Sequence, residues 1–244
     1  MPEGPSIIIL KEALKEFKGR RITAASGYDK GIHPEMLVGK TITGFKSWGK
    51  NLLITFKGFT VQVHMGLFGS YKINSRGKKN ASLGMQFGDD QVNFYISHIK
   101  VIEGPLSKAY DWSADIMSPK WDADKAIEKL KQKPERMICD ALLDQNVFAG
   151  SGNIIKNEAL FRARIHPESL SGKIPGEQLK ELLKQVVKFS DNFLKWRKRG
   201  VLTKYLEAYE KDTCPRNHIP FHKTDTGKTK RHSYYCDKCQ VLYD

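Results

Sequence analysis

Apolar positions recur along the chain with changing periods, and each change marks an architectural boundary. Ile7, Leu10, Leu14 and Phe17 fall on one face at helical spacing, Pro5 suits a first helical position, and Gly19 closes the predicted helix. From Arg21 to about Glu103 the pattern becomes short β-prone runs separated by glycines, at 22–24, 41–45, 52–56, 60–64 and 91–96. Regular spacing of such runs predicts an antiparallel sandwich or barrel, with Lys57-Gly58 and Gly88-Asp89-Asp90 as hairpin turns. Ser118-Pro119-Lys120 breaks this pattern, and helical periodicity returns with Ala126, Ile127 and Leu130, then Met137, Leu142 and Leu143. A longer helix is predicted from about Gly176 to Lys198, burying Leu179, Leu182, Leu183, Val186, Val187, Phe189 and Phe193. The last thirty or so residues carry few aliphatics and cannot build a core without a staple. The fold class is therefore α+β, with a β-rich segment at 1–117, a helical segment at 118–205 and a stapled segment at 206–244.

Composition narrows what such a chain can be. With 244 residues, 40% of them hydrophobic, it can bury a sizeable core, and no stretch approaches the ~20 apolar residues that span a bilayer. Charges run through the first twenty residues, so no signal peptide is expected, and the expected location is the cytoplasm or nucleoid, away from membranes. Lysine and arginine exceed aspartate and glutamate by 41 to 27, a formal charge of +14 that points to a polyanionic partner. The stretch from Lys195 to Arg231 holds eleven basic and four acidic residues and so contributes +7, half of the excess. A solvated face would account for such a run. The aromatic residues Trp196, Tyr205, Tyr209, Phe221, Tyr234 and Tyr235 within or beside it favour nucleic acid, whose sugars and bases they can contact.

Three of the four cysteines fall in the final segment. Cys236-Asp237-Lys238-Cys239 is a C-x2-C knuckle, and Cys214 with His218 four residues later supplies the other pair of a tetrahedral zinc site. Two alternatives stay open: His222 as the fourth ligand, or free thiols. Cys139 lies in an apolar helical stretch and reads as a buried structural thiol.

The start of the chain carries the most specific chemistry. Removal of an initiator methionine before proline would expose Pro2 as a secondary amine, and an α-amine titrating near ~7.7–8.0 is partly neutral at physiological pH. Such an amine attacks aldehyde carbons, and its adduct remains a cationic iminium that withdraws electrons. Glu3 beside it can move protons, and a helix starting near Pro5 disfavours the protonated amine through its dipole.

Pro2-Glu3-Gly4-Pro5, Trp48-Gly49-Lys50-Asn51-Leu52-Leu53, His64-Met65-Gly66-Leu67-Phe68-Gly69, the run Gln145 to Ile154 containing Gly150-Ser151-Gly152-Asn153, and the zinc segment together resemble the formamidopyrimidine-DNA glycosylase/endonuclease VIII family. The match runs in order over essentially the whole chain. The resemblance implies an N-terminal two-sheet β-sandwich flanked by helices, then a helix-two-turn-helix domain and a zinc finger, in a monomer that binds damaged DNA without an organic cofactor. It implies Pro2 as the nucleophile, Glu3 as acid/base, Lys50 as a phosphate contact beside the lesion, and Arg231 as the finger arginine that grips flanking phosphates. Glycines before Asn153 let backbone approach a phosphate at a helix start, where the side-chain amide adds to the site, although a plain helix turn would also explain them. Leu67 and Phe68 stand where family members carry residues that fill the gap left by an expelled base; core packing is the competing reading.

The departures bear on specificity. Gly4 in place of leucine, and Ser97-His98-Ile99-Lys100-Val101 in place of an arginine-rich segment, lean toward the endonuclease VIII branch and oxidised pyrimidines. Tyr209-Glu210-Lys211-Asp212-Thr213 replaces a tyrosine-glycine-arginine cluster before the first zinc cysteine. The expected activity is a bifunctional glycosylase and abasic-site lyase.

Overall fold

The computed structural model describes residues Pro2–Asp244; the fate of Met1 lies outside the described residues. The chain divides into two compact units, one ending at Tyr110 and one spanning Asp111–Asp244. This division falls shortly before the 117/118 boundary read from periodicity. Residues 111–117 join the helical unit through the Asp115–Ala149 bridge, the Ala149 N–H to Ala114 carbonyl bond and the Lys129–Asp111 ion pair.

In the first unit, helix α1 (Gly4–Ala13) begins with Pro5 in its first turn and continues into a 3₁₀ turn at Lys15–Phe17. Its face of Ile7, Leu10, Leu14 and Phe17 is fully buried, as the spacing requires. Eight strands follow: β1 (Ala24–Ser26), β2 (Gly44–Trp48), β3 (Asn51–Thr55), β4 (Phe59–His64), β5 (Ser70–Ile73), β6 (Leu83–Phe87), β7 (Asp90–Tyr95) and β8 (His98–Glu103). They form two antiparallel sheets, ordered β2-β3-β4-β8 and β1-β6-β7-β5. Leu52, Ile54, Val61 and Val63 of one sheet and Leu83, Met85, Val92 and Phe94 of the other share one core with the face of α1, which makes the pair a sandwich. Gly58 and Gly88 take positive φ at the two expected hairpin turns. A short helix α2 (Leu106–Ala109) ends the unit.

The second unit holds α3 (Ala123–Lys131), α4 (Ile138–Ala141), α5 (Asn153–Arg162) and α6 (Gly176–Lys198), then the hairpin β9 (His222–Thr226) and β10 (Arg231–Tyr235). Phe148, Leu160, Leu182, Val186 and Phe189 lie in the core that these helices enclose, while Val187 is only half-buried. No helix among the described residues is long and apolar enough to cross a membrane.

Two buried charges fasten the non-helical chain to α5. The fully buried Glu158 carboxylate accepts the backbone N–H groups of Glu207, Ala208 and Tyr209 and a bond from Arg162. The fully buried Lys156 ammonium donates to the Arg231 and His232 carbonyls and to Ser233 Oγ. Hydrogen bonds to a charged group contribute more than neutral ones, so Glu158→Gln should destabilise this unit by about 2 kcal/mol. Denaturant unfolding followed by tryptophan fluorescence checks it; an unchanged midpoint would show that the carboxylate charge contributes nothing.

Candidate active site and metal centre

Glu3 precedes α1, and its backbone carbonyl accepts the N–H groups of Ser6 and Ile7. The Glu3 side chain is fully buried, whereas Pro2 is partly exposed. α1 packs on β2 and β3, the two strands joined by the turn that carries Lys50. Gly49, with φ +54, makes that turn.

Beside Lys50 runs a polar chain in which Asn51 and His64 stand in the sequence motifs but Gln62 and Tyr110 do not. Tyr110 Oη donates to Gln62 Oε1 at 2.5 Å, Gln62 Nε2 donates to Asn51 Oδ1 at 3.1 Å, and His64 Nδ1 lies 3.0 Å from the same oxygen. Since that oxygen can only accept, the hydrogen sits on His64 Nδ1 and the neutral ring presents a lone pair at Nε2. Strand register supplies the grouping, with Asn51 opposite His64 and His64 opposite His98. Burial, then the positive charge of Lys50 and then His98, hold the His64 pKa below its ordinary value. Burial pushes the Tyr110 hydroxyl up to about 12, so it stays a donor. The alternation of β4 places Gln62 and His64 on one face, a signal readable in the sequence, but the partner strands are not.

Leu67 and Phe68 sit in the turn between β4 and β5, 47% and 74% exposed, which rules out core packing. The turn is tight: Gly69 N–H bonds to the Met65 carbonyl, and a Cβ at Gly69 would lie 2.2 Å from that oxygen. Ile96, in the turn from β7 to β8, is 45% exposed and has φ +50, costly for a β-branched residue. Sequence reading took it as the end of a strand. Register places these two turns at one end of their sheets, because Ser70 opposes Tyr95 and His64 opposes His98.

In the second unit, Asn153 opens α5 behind Gly152. Its side-chain Nδ2 donates to the His232 carbonyl of β10, while its Oδ1 and the hydroxyl of Ser151 are buried without a partner. Asn157 ties the same hairpin from both sides, donating to the His232 carbonyl and accepting from Tyr234 N–H. The hairpin turn is held by Asp140, whose carboxylate accepts from Lys228 N–H and from both the N–H and hydroxyl of Thr229. Arg231, partly buried, begins β10 between these anchors.

The sulfur atoms of Cys214, Cys236 and Cys239 lie within 4.8 Å of one another. Three converging thiols in a segment with few aliphatics suit a soft, tetrahedral metal ion. Neither histidine is in this group: His218 is exposed at φ +56, and His222 bonds to Asp237 and stacks on Tyr235. Asn217 Nδ2 contacts Cys236 Sγ at 3.4 Å. Cys139 is buried, and its burial raises its pKa, as fits an inert thiol.

Residues 1–100 match the formamidopyrimidine-DNA glycosylase N-terminal domain, and residues 113–204 match the formamidopyrimidine-DNA glycosylase H2TH domain. The chain belongs to the formamidopyrimidine-DNA glycosylase/endonuclease VIII family. Within the family it falls on the endonuclease 8-like side. It is 34% identical over 217 residues to Endonuclease 8-like 3 of Xenopus laevis, covering 84% of this chain and 35% of that protein. It is 35% identical over 195 residues to Endonuclease 8-like 2 of Bos taurus, covering 74% of this chain and 58% of that one. The chain thus spans about a third of the length of the Endonuclease 8-like 3 proteins it matches. The structure of Lactococcus lactis formamidopyrimidine DNA glycosylase bound to abasic-site DNA has the same fold, with a TM-score of 0.87 at 23% identity, covering 98% of this chain and 99% of that one.

The His64 environment gives a direct check. Burial opposes protonation, so the imidazole should titrate below 6.5 by NMR, and stability should fall as pH drops from 6.5 toward that lower midpoint. Lys50→Met should raise the midpoint, yet leave it under 6.5 because burial is the larger cause. A midpoint at or above 6.5 in the native protein would contradict this environment.

Proposed function

We propose that the protein is a DNA glycosylase and abasic-site lyase that excises oxidised bases, pyrimidines in preference, and then cuts the strand. The observation that carries this reading is Pro2-Glu3 at the head of a buried helix, on the sheet that carries Lys50, in a chain of this family. With Met1 removed, the neutral Pro2 nitrogen attacks C1′ of the damaged nucleotide, the C1′–N-glycosyl bond breaks, and the base leaves with its electron pair and a proton. Ring opening gives the iminium, and Glu3 serves as the proton carrier. The iminium acidifies the C2′ proton; its removal expels the 3′ phosphate by β-elimination, and a second δ-elimination frees the 5′ side. Lys50 and Arg231 stabilise the phosphates around the lesion, the guanidinium in bidentate fashion.

At the start of α5 the second hydrogen of Asn153 Nδ2 and the helix N–H groups behind Gly152 would seat a phosphate. Leu67 and Phe68, with Ile96 in the adjoining turn, are the exposed apolar side chains fit to fill the space of the expelled nucleotide. Gly4 leans toward the endonuclease VIII branch, and so toward pyrimidine lesions over purine ones, and the relatives carry that branch's name. The three-cysteine group is read as a structural zinc centre with His218 as fourth ligand; zinc would supply no step, only cross-link the finger that positions Arg231.

A short N-terminal extension, which turns the Pro2 nitrogen into an amide, should abolish cutting of abasic DNA, a loss of at least about 100-fold, while leaving DNA affinity within about threefold. Retained cutting would remove the mechanism. On a lesion panel, duplexes with dihydrothymine should be cut faster than those with 8-oxoguanine; the reverse order would transfer the protein to purine lesions. Cobalt(II) added to metal-free protein should give a thiolate charge-transfer band, and His218→Ala should shift the visible d–d bands. Unshifted bands would remove His218 from the ligand set.

A further inference from the structure

The β1-β6-β7-β5 sheet has a second face that the proposed chemistry does not use. Leu83, Met85 and Phe87 of β6 and Val92 and Phe94 of β7 point into the core, so the alternate residues Gly84, Gln86, Gln91, Asn93 and Tyr95 line the opposite face. A groove of about 670 Å³ lies there, within the range of ligand-binding clefts. Its floor is kept low by Ala24, Ser26 and Gly84; a Cβ at Gly84 would come within 2.6 Å of Asn93 Oδ1.

A strap formed by residues 74–80 crosses the groove and is firmly built at its base. Asn74 N–H bonds to the Gln91 carbonyl and Asn74 Oδ1 accepts Gln91 N–H. Gly77 N–H donates to Tyr95 Oη at 2.7 Å, Arg76 Nε donates to Gln91 Oε1, and the buried Asn93 donates to the Ser75 carbonyl. A Cβ at Gly77 would sit 3.0 Å from the Tyr95 ring, so glycine lets the strap lie close. Beyond these anchors Lys78 and Lys79 stand exposed at the rim, and Tyr28, 57% exposed, borders the other side. None of the lining residues is acidic.

We infer that this groove binds a segment of single-stranded nucleic acid, at a site apart from the damaged nucleotide. Each element matches one part of an unpaired strand: the lysines and Arg76 its phosphates, the exposed Tyr28 ring a base face, and the Gln86 amide with Gln91 Nε2 the donor and acceptor edges that pairing would hide, while Asn93 Nδ2 and Gln91 Oε1 are spent on holding the strap. An acidic peptide would use the cations but leave the amides and Tyr28 idle.

The site is tested with an undamaged oligothymidylate of roughly 12 nucleotides, within the span that single-strand binding folds cover, so the result does not depend on catalysis. By fluorescence anisotropy, Lys78→Glu/Lys79→Glu should weaken binding roughly tenfold and flatten its salt dependence, while Lys184→Glu/Lys188→Glu, an equal charge change on exposed positions of α6, should weaken it by no more than about twofold. Cutting of a short abasic duplex by the strap variant should stay at the native rate, which also shows that it folds. A 5-iodouracil strand should photocross-link to Tyr28. Equal losses in the two paired variants, no adduct within residues 24–28 or 76–95, or competition by thymidine monophosphate as effective as by the strand would each overturn the inference.

Discussion

The chemistry proposed for the chain rests on how its first helix is seated. Ile7, Leu10, Leu14 and Phe17 are buried in the sandwich core, and each such side chain contributes ~1.5–3 kcal/mol on burial. A terminus is ordinarily mobile, and a mobile amine would be a poor catalyst. Here the apolar face fixes α1 on β2 and β3, and Glu3 is drawn into the interior directly before the first turn. Pro2 is thereby placed by packing in which it takes almost no part itself. The same sheet carries Lys50 and the Asn51–His64 pair, so the proposed nucleophile, acid and cation depend on one packed layer.

In the second unit the corresponding constraint is the fastening of the finger hairpin to α5. Three side chains of α5, Asn153, Lys156 and Asn157, converge on the His232 carbonyl, and Asp140 holds the hairpin turn. A fully buried lysine is costly unless its donors are satisfied, and those of Lys156 go to the hairpin adjoining Arg231. The arginine assigned to phosphate binding is thus positioned from behind by helix residues and from the far end by the cysteine group.

Much of this was legible in the sequence where the signal is local. The face of α1, the span Gly176–Lys198 of α6, the turn glycines and the C-x2-C knuckle all follow from spacing along a few turns or residues. Strands β5, β6 and β8 were missed. β5 alternates polar and half-buried residues, and Gly84 interrupts the otherwise clear alternation of β6. Lys156 and Asn157 read as ordinary helix residues because their partners lie 75 or more residues away, and Asp140 holds a turn 88 residues downstream. His64, Gln62 and Tyr110 were likewise invisible as a group, since strand register brings them together. What local pattern could not supply was long-range pairing, and the polar parts of the site are built from it.

The central claim is that the Pro2 nitrogen forms the covalent bond to DNA. The most direct measurement is borohydride reduction of the native protein with abasic DNA, followed by peptide mapping of the trapped species by mass spectrometry. The account predicts a protein lacking Met1, with the reduced sugar attached at the Pro2 nitrogen. An adduct on a lysine, or no adduct from protein shown to begin at Pro2, would contradict it.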